Sequence, residues 1–340
     1  HNQIKNVLFI YFMNPKISVI TTVYNCEDYI AQSVKSILNQ TFRDFEYIIV
    51  NDGSKDNTLA IVSKLAEEDD RIRVFDNGVN LGRVVSLNKA LDNSTGEYIA
   101  LQDADDISFP QRLEKQFKFL DENSDYVLAG ANIIVIDEFE NFISRPNRPI
   151  ENSDAKFSLL FRCTFANPSI IFRKKVLTEN NIRYEDNFNH AEDYRIITHI
   201  SKFGKVYNIE QPLIKYRKHG SNNSTVNQDI VKSGTVQIVK ENLTKMGFKV
   251  NEEQVIRIRD LISSRGINSE YIYEDISLIF KTIKLFREKN NTGKNHEILL
   301  TISRMMKWLG KKNILTKPEF LKLYISLKIY YIKESLMSGN

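Results

Sequence analysis

Between Lys16 and Leu101 the apolar residues fall into two alternating rhythms. Short runs rich in β-branched residues, over 16–22, 45–50, 71–75 and 98–101, predict four strands. Between them the apolar positions recur every three or four residues. Ile30, Val34, Ile37 and Leu38 share one face of a helix expected over 27–39, and Ile61, Val62, Leu65 and Ala66 share one ending near Glu68. A third helix should end near Leu91. Phe45 to Val50 is apolar without alternation, as in a strand whose sheet is covered on both faces. Three strand–helix repeats predict a doubly wound α/β domain.

After Leu101 the spacing predicts a helix over 111–121, with Ser108 as N-cap, Pro110 near the first turn and Gln111 three residues after the cap. Tyr126 to Ile136 should be a long strand, 141–153 a connection, and 167–172 a strand after a short helix. Tyr194, Ile197 and Ile200 mark an amphipathic helix closed by Gly204, and 206–209 is strand-like. A polar run, Ser221 to Thr225, then precedes a region with helical periodicity only, around 230–246, 252–263, 272–289, 297–309 and 318–337. The expected domains are therefore 15–225, α/β, and 226–340, helical. The last helix carries Phe320, Leu321, Leu323, Tyr324, Leu327, Tyr330 and Tyr331 against Lys322, Lys328 and Lys333. That pattern suits packing on neighbouring helices, or docking on an anionic membrane surface with Trp308 nearby.

Charge sharpens the division. The chain's net +4 is uneven: Val226 to Asn340 holds 20 Lys and Arg against 12 Asp and Glu, leaving 27 against 31 before it. Two parts with different partners are expected. With 42% hydrophobic and 26% charged residues, the 340-residue chain has an ordinary soluble composition. The run Val7 to Met13 is too short to span a bilayer and is followed by no small-residue cleavage site, so no leader is expected. Two cysteines, Cys26 and Cys163, form neither a disulfide framework nor a metal-ligand spacing, which points to a reducing cytoplasm.

The chemistry concentrates where strands end. Tyr98 to Leu101 runs directly into Asp103, Asp105 and Asp106, a cluster whose repulsion is most simply offset by a hard divalent cation. In doubly wound sheets ligands sit at the carboxyl ends of the strands. Thr22 to Asn25, Asp52 in Asn51-Asp52-Gly53-Ser54, and Asp103 to Asp106 all fall there. No Gly-x-Gly-x-x-Gly follows the first strand, which argues against a dinucleotide enzyme.

Taken in order, Ile17 to Asn25, Asn51 to Asp56, Asn80-Leu81-Gly82, Asp103-Ala104-Asp105-Asp106 and Glu192-Asp193 resemble the family 2 inverting glycosyltransferases of the GT-A fold, of the bacterial polysaccharide-biosynthesis type. The resemblance covers about 15–225 and stops before the helical tail. It implies a Rossmann-like mixed sheet with helices on both faces and a nucleoside diphosphate sugar donor, with UDP favoured. The acceptor would be a glycan or lipid-linked hydroxyl, and Mn²⁺ or Mg²⁺ would neutralise the departing diphosphate. By the same resemblance Thr22, Tyr24, Asn25 and Asp52 bind the donor nucleotide, with Thr22, Tyr24 and Asp52 on its base, and Arg83 reaches the base or diphosphate. Asp103 positions ribose or sugar, Asp105 binds metal, and His219 in Tyr-Arg-x-His is a late metal or diphosphate contact. Asp106 departs from the simplest Asp-x-Asp and reads as a helix N-terminal residue. Asp193 is the general base, with Glu192 beside it or facing the acceptor. Cytoplasmic placement, contact of the basic helices with the inner membrane face, a homodimer, and no nucleic-acid partner complete the expectations. Two alternatives stay open from the residues alone: a nucleotide-sugar-binding module without transfer, and a haloacid-dehalogenase-like phosphatase, which also carries Asp-x-Asp after an apolar strand.

Overall fold

The computed structural model describes residues 14–188, 190–220, 228–263, 271–290, 295–311 and 318–336. The Val7–Met13 run and the expected boundary at Ser221–Thr225 lie outside them. Contacts divide the chain into two compact units, one built on 1–148 with 165–226 and the other on 149–164 with 227–340.

The first unit begins β1 (Ile17–Val23), α1 (Ile30–Leu38), β2 (Phe45–Asn51), α2 (Thr58–Glu68), β3 (Ile72–Asp76), α3 (Arg83–Asn93) and β4 (Tyr98–Leu101). Then follow β5 (Ile107–Ser108), α4 (Arg112–Glu122), β6 (Tyr126–Ile136) and β7 (Phe142–Ser144). Outside this unit lies α5 (Asn152–Ser158); β8 (Ile171–Arg173), α6 (Lys174–Glu179), α7 (Glu192–Ile200) and β9 (Lys205–Arg217) complete the first unit.

Among the described residues the strands form one mixed sheet in the order β3-β2-β1-β4-β8-β6-β9-β5, with β7 on β6. β1, β2, β3 and β4 pair parallel, whereas β8 runs antiparallel to both β4 and β6. The chain moves outward from β1 to β3 and then crosses back to place β4 on the other side of β1. That reversal opens a crevice beyond the carboxyl ends of β1 and β4, the place where open α/β sheets take their ligands. β2 is buried along its whole length, as its unbroken apolar run requires, and Val34, Ile37, Val62 and Leu65 pack from the covering helices.

Three departures from the expected elements have physical causes. The helix after the acidic turn starts at Arg112, not after Ser108. Ser108 is in β5, and its hydroxyl donates to Gln102 Oε1 at 2.7 Å. The fully buried Arg112 guanidinium takes Ser108 Oγ, Gln102 Oε1 and the Leu101 carbonyl as acceptors at 3.0, 3.0 and 2.6 Å, so the Ser108 oxygen serves a buried cation rather than a helix end. Asp106 is likewise no helix terminus: it is buried, and its Oδ1 accepts the Arg217 N–H at 2.7 Å. Finally, β9 is longer than the expected strand-like 206–209, running on through Pro212 to Arg217. The register with β6 slips on either side of Asn132, so the missing proline N–H falls at a bulge.

In the second unit, α8 (Gln228–Lys245), α9 (Glu252–Ile262), α10 (Ile272–Lys289), α11 (His296–Lys311) and α12 (Pro318–Leu336) assemble around buried Val239, Leu243, Ile258, Ile279, Ile283, Ile302 and Leu309. The short helix expected before the strand at 167–172 is α5, which packs with this unit. Asp154 Oδ1 accepts the Glu297 N–H at 3.1 Å, capping the start of α11, and Arg162 pairs with Glu297 at 2.9 Å. No helix among the described residues is long and apolar enough to cross a membrane.

Candidate active site

The loops after β1 and β2 are stitched together by short polar side chains. Asn25 adopts a positive φ of 49°; its Oδ1 accepts the Lys55 N–H at 2.8 Å, and its own N–H donates to Ser54 Oγ at 3.0 Å. Asn25 thus braces the loop. Tyr24, next to it, is 46% exposed, and Thr22 is half-buried at the end of β1. Gly53 follows at φ 71°, with space for no side chain: a Cβ would lie 2.4 Å from the Val79 carbonyl carbon.

That close approach lets Asp52 hold the loop after β3. Its Oδ1 accepts from Asn77 Nδ2 and the Leu81 N–H at 2.8 and 2.9 Å, and its Oδ2 accepts the Gly82 N–H at 2.9 Å. Replacing the buried Asp52 by Ala strands two backbone donors and an amide. Unfolding in urea should show a loss of about 2 to 4 kcal/mol.

Arg83, the next residue, starts α3 and joins two carboxylate clusters. Its Nη2 donates to Asp103 Oδ1 at 2.8 Å, and its Nε lies 2.9 Å from Glu192 Oε1 at the head of α7. Asn167 Nδ2 adds a second donor to Asp103 Oδ1 at 2.8 Å. Although burial opposes its charge, Asp103 and Glu192 raise the Arg83 pKa above its ordinary value. Asp193, partly exposed beside Glu192, accepts the Tyr194 N–H on Oδ1 at 2.7 Å. Burial, and then the Glu192 charge, push its carboxyl up to about 6.

On the other side of the acidic turn, Asp105 Oδ2 lies 2.9 Å from His219 Nε2. The His219 ring packs on Tyr29 with centroids 4.9 Å apart. Arg217 stands 4.9 Å over the same Tyr29 ring and donates from Nε to the Asp105 carbonyl at 3.0 Å. Burial and the charges of Asp105 and Asp103 drive Asp106 well above the usual carboxylate range. Beneath the turn, Gln102 Nε2 donates to the Asp103 and Asp106 carbonyls at 3.1 and 2.8 Å, fixing its shape.

Among the described residues no three His, Cys, Asp or Glu side chains converge on one point. The adjacent Asp105 oxygen and His219 nitrogen nevertheless fit a divalent ion of the Mg²⁺ or Mn²⁺ kind, which takes few protein ligands and completes its shell from substrate phosphate and water.

Every residue expected at the site lies on the β1–β4 side of the sheet or on α7 and the end of β9. Sequence reasoning missed Asn77, Asn167, Arg217 and Tyr184. Asn88 clasps the Tyr184 backbone, donating from Nδ2 to its carbonyl at 3.0 Å and accepting its N–H at 3.1 Å. The Tyr184 hydroxyl and Glu192 Oε2 are buried with no hydrogen-bond partner among the described residues. Burial raises the Tyr184 pKa, and the phenol feels Arg83, Glu192, Asp193 and Asp103 together. The Asn167-Pro168 pair was a usable signal; Tyr184, in an unremarkable stretch, offered none.

Comparison with known proteins decides what this crevice belongs to. Residues 18–180 match the glycosyl transferase family 2 model. An uncharacterised glycosyltransferase of Haemophilus influenzae is 32% identical over 275 residues, spanning 76% of this chain and 85% of its own length. The chain belongs to glycosyl transferase family 2. Within the family, it is 35% identical over 209 residues to the O-antigen biosynthesis glycosyltransferase WbnJ of Escherichia coli, covering 60% of this chain and 80% of that one. Among solved structures, Staphylococcus aureus TarS 1-349 in complex with UDP-GlcNAc superposes with a TM-score of 0.59 at 18% identity, over 94% of this chain and 92% of that one. The sheet is thus of the GT-A type expected for the family, followed by a helical region, and the chain is a glycosyltransferase.

Proposed function

We propose that this family 2 enzyme moves a sugar from a nucleoside diphosphate donor, UDP most readily, to a hydroxyl of a glycan or lipid-linked acceptor during cell-surface polysaccharide synthesis, inverting the anomeric carbon. The observation that carries the reading is the Arg83 bridge. One guanidinium holds Asp103, at the turn after β4, and Glu192, beside Asp193, so carboxylates ninety residues apart in sequence face one crevice. The UDP-GlcNAc complex of TarS and the name of WbnJ support the donor class and the acceptor class respectively.

Asp193 takes the proton of the acceptor hydroxyl as that oxygen bonds to the anomeric carbon. The bond from that carbon to the diphosphate oxygen breaks, and its electron pair leaves with the diphosphate. A divalent ion at Asp105 and His219 would supply charge neutralisation to the leaving group. Asp103, aimed by Arg83 and Asn167, positions the ribose or sugar; Tyr24 offers an open aromatic face for the base.

The base works only when ionised. With its pKa raised to about 6, Asp193 is increasingly protonated as pH falls below that value, so kcat/KM should drop tenfold per pH unit there and level off above it. A pH profile in Asp193-competent protein reads this directly, and a flat response from pH 5 to 8, a range bracketing that value by about one to two units, would remove the assignment.

The activity is tested by incubating the protein with a panel of nucleotide sugars and Mn²⁺ or Mg²⁺ without acceptor. Slow release of free nucleoside diphosphate supports transfer chemistry. Release of inorganic phosphate points to the phosphatase alternative, and binding without turnover points to a binding module.

A further inference from the structure

The last helix of the second unit is apolar on two opposite sides. Its inner side is anchored: Phe320, Leu323 and Leu327 are buried, the Phe320 ring meets Tyr273 at 5.2 Å, and Tyr330 meets Phe280 at 5.5 Å. Arg287 Nε on α10 donates to the buried Glu334 Oε1 at 2.7 Å, fixing the rotation of α12 about its axis.

The outer side is a second stripe. Leu321, Ile325, Ile329, Ile332 and Leu336 are all exposed, from 44% at Leu321 to 73% at Leu336. Their spacing of four, four, three and four keeps them within an arc of about 80°, along roughly 22 Å of helix. Lys322 and Lys333 border one edge of that arc and Lys328 the other, and all three are exposed. Of the two acids on α12, Glu334 is buried, and Glu319 lies beyond the lysine edge. Five aliphatic side chains at one helical face cost free energy in water unless something apolar covers them.

We propose that this face of α12 is a docking surface for an anionic lipid bilayer. The helix lies in the interface, its five aliphatic side chains entering the acyl boundary while the flanking lysines meet acidic headgroups. Charge complementarity selects this occupant over a second copy of the chain. Two copies meeting through the stripe would set lysine edges against lysine edges with no acid on that face to pair them. A neutral apolar partner would leave the lysines unused. The inference rests on the helical unit alone and stands apart from the transfer reading, because its readout is partitioning rather than turnover.

The experiment is co-sedimentation of the full chain with vesicles of phosphatidylcholine, with and without phosphatidylglycerol, at low and high salt. Two variants accompany it, Ile325→Ser/Ile329→Ser/Ile332→Ser and Lys322→Gln/Lys328→Gln/Lys333→Gln. All six positions are exposed, so both variants should keep the wild-type melting temperature. Wild-type protein should bind only the anionic vesicles, and the lysine variant should bind about a hundredfold more weakly. The aliphatic variant should lose at least about tenfold even at low salt. Wild-type protein that ignores anionic vesicles, or both variants binding as wild type does, overturns the proposal. So does light scattering that finds a dimer which the aliphatic variant dissociates, since a second copy then covers the face.

Discussion

Replacing Asp193 with Asn should lower turnover by about a thousandfold or more while leaving donor affinity within about threefold, because a positioned base contributes roughly 10² to 10⁴ in rate. The amide keeps the shape and can still accept the Tyr194 N–H, but it cannot take the acceptor proton. In free energy the loss is about 4 kcal/mol in the transition state and almost none in the ground state. The separation matters because Asp193 sits beside Glu192 and Arg83, where a structural substitution would disturb donor binding too. Stopped turnover with intact donor binding identifies a base. Turnover within about tenfold of wild type would move the role to Glu192, the neighbouring carboxylate that still carries an orphaned oxygen.

The second large effect belongs to Asp105. Asp105→Ala should reduce kcat/KM by about a thousandfold and abolish the dependence of donor binding on Mn²⁺ or Mg²⁺, since a metal acting as Lewis acid supplies several kcal/mol of charge stabilisation. His219→Gln, which removes the partner at 2.9 Å, should weaken metal dependence less, because an uncharged ligand contributes less to holding a hard dication. Titrating each ion against donor binding by calorimetry separates the two variants. Metal-dependent donor binding that persists in Asp105→Ala would show that the ion is held elsewhere.

These predictions lean on geometry that the chain disclosed unevenly. Elements governed by hydrophobic period alone, such as the strand at Tyr98–Leu101 and the long strand at Tyr126–Ile136, stand where the pattern puts them. The carboxylate-bearing turns also follow from sequence, because a doubly wound order brings strand ends together whatever lies between. Legibility failed where a tertiary partner outweighed a local signal. Ser108, Pro110 and Gln111 spell a helix cap, yet the buried Arg112 guanidinium claims the serine oxygen. The strand-like stretch at 206–209 stops short of Pro212, yet β9 runs on through it because a bulge against Asn132 absorbs the missing N–H. The short helix before 167–172 is legible, but not that its Asp154 and Ser158 serve the start of α11, far along the chain. At the site, the sequence places Asp52 at the end of β2, but does not disclose that both its oxygens are engaged by the 77–82 loop. Tyr184 was silent because nothing local distinguishes a buried phenol with an unsatisfied hydroxyl from an ordinary core aromatic.

The proposed function comes down to a single crevice in which Asp193 on α7 would face the anomeric carbon opposite the departing diphosphate. The most direct test is the configuration of the sugar first released from an α-configured UDP-sugar when water replaces the acceptor, followed by time-resolved proton NMR before mutarotation. Attack assisted by Asp193 from the opposite face predicts the β anomer as the initial product. The α anomer appearing first would contradict the account.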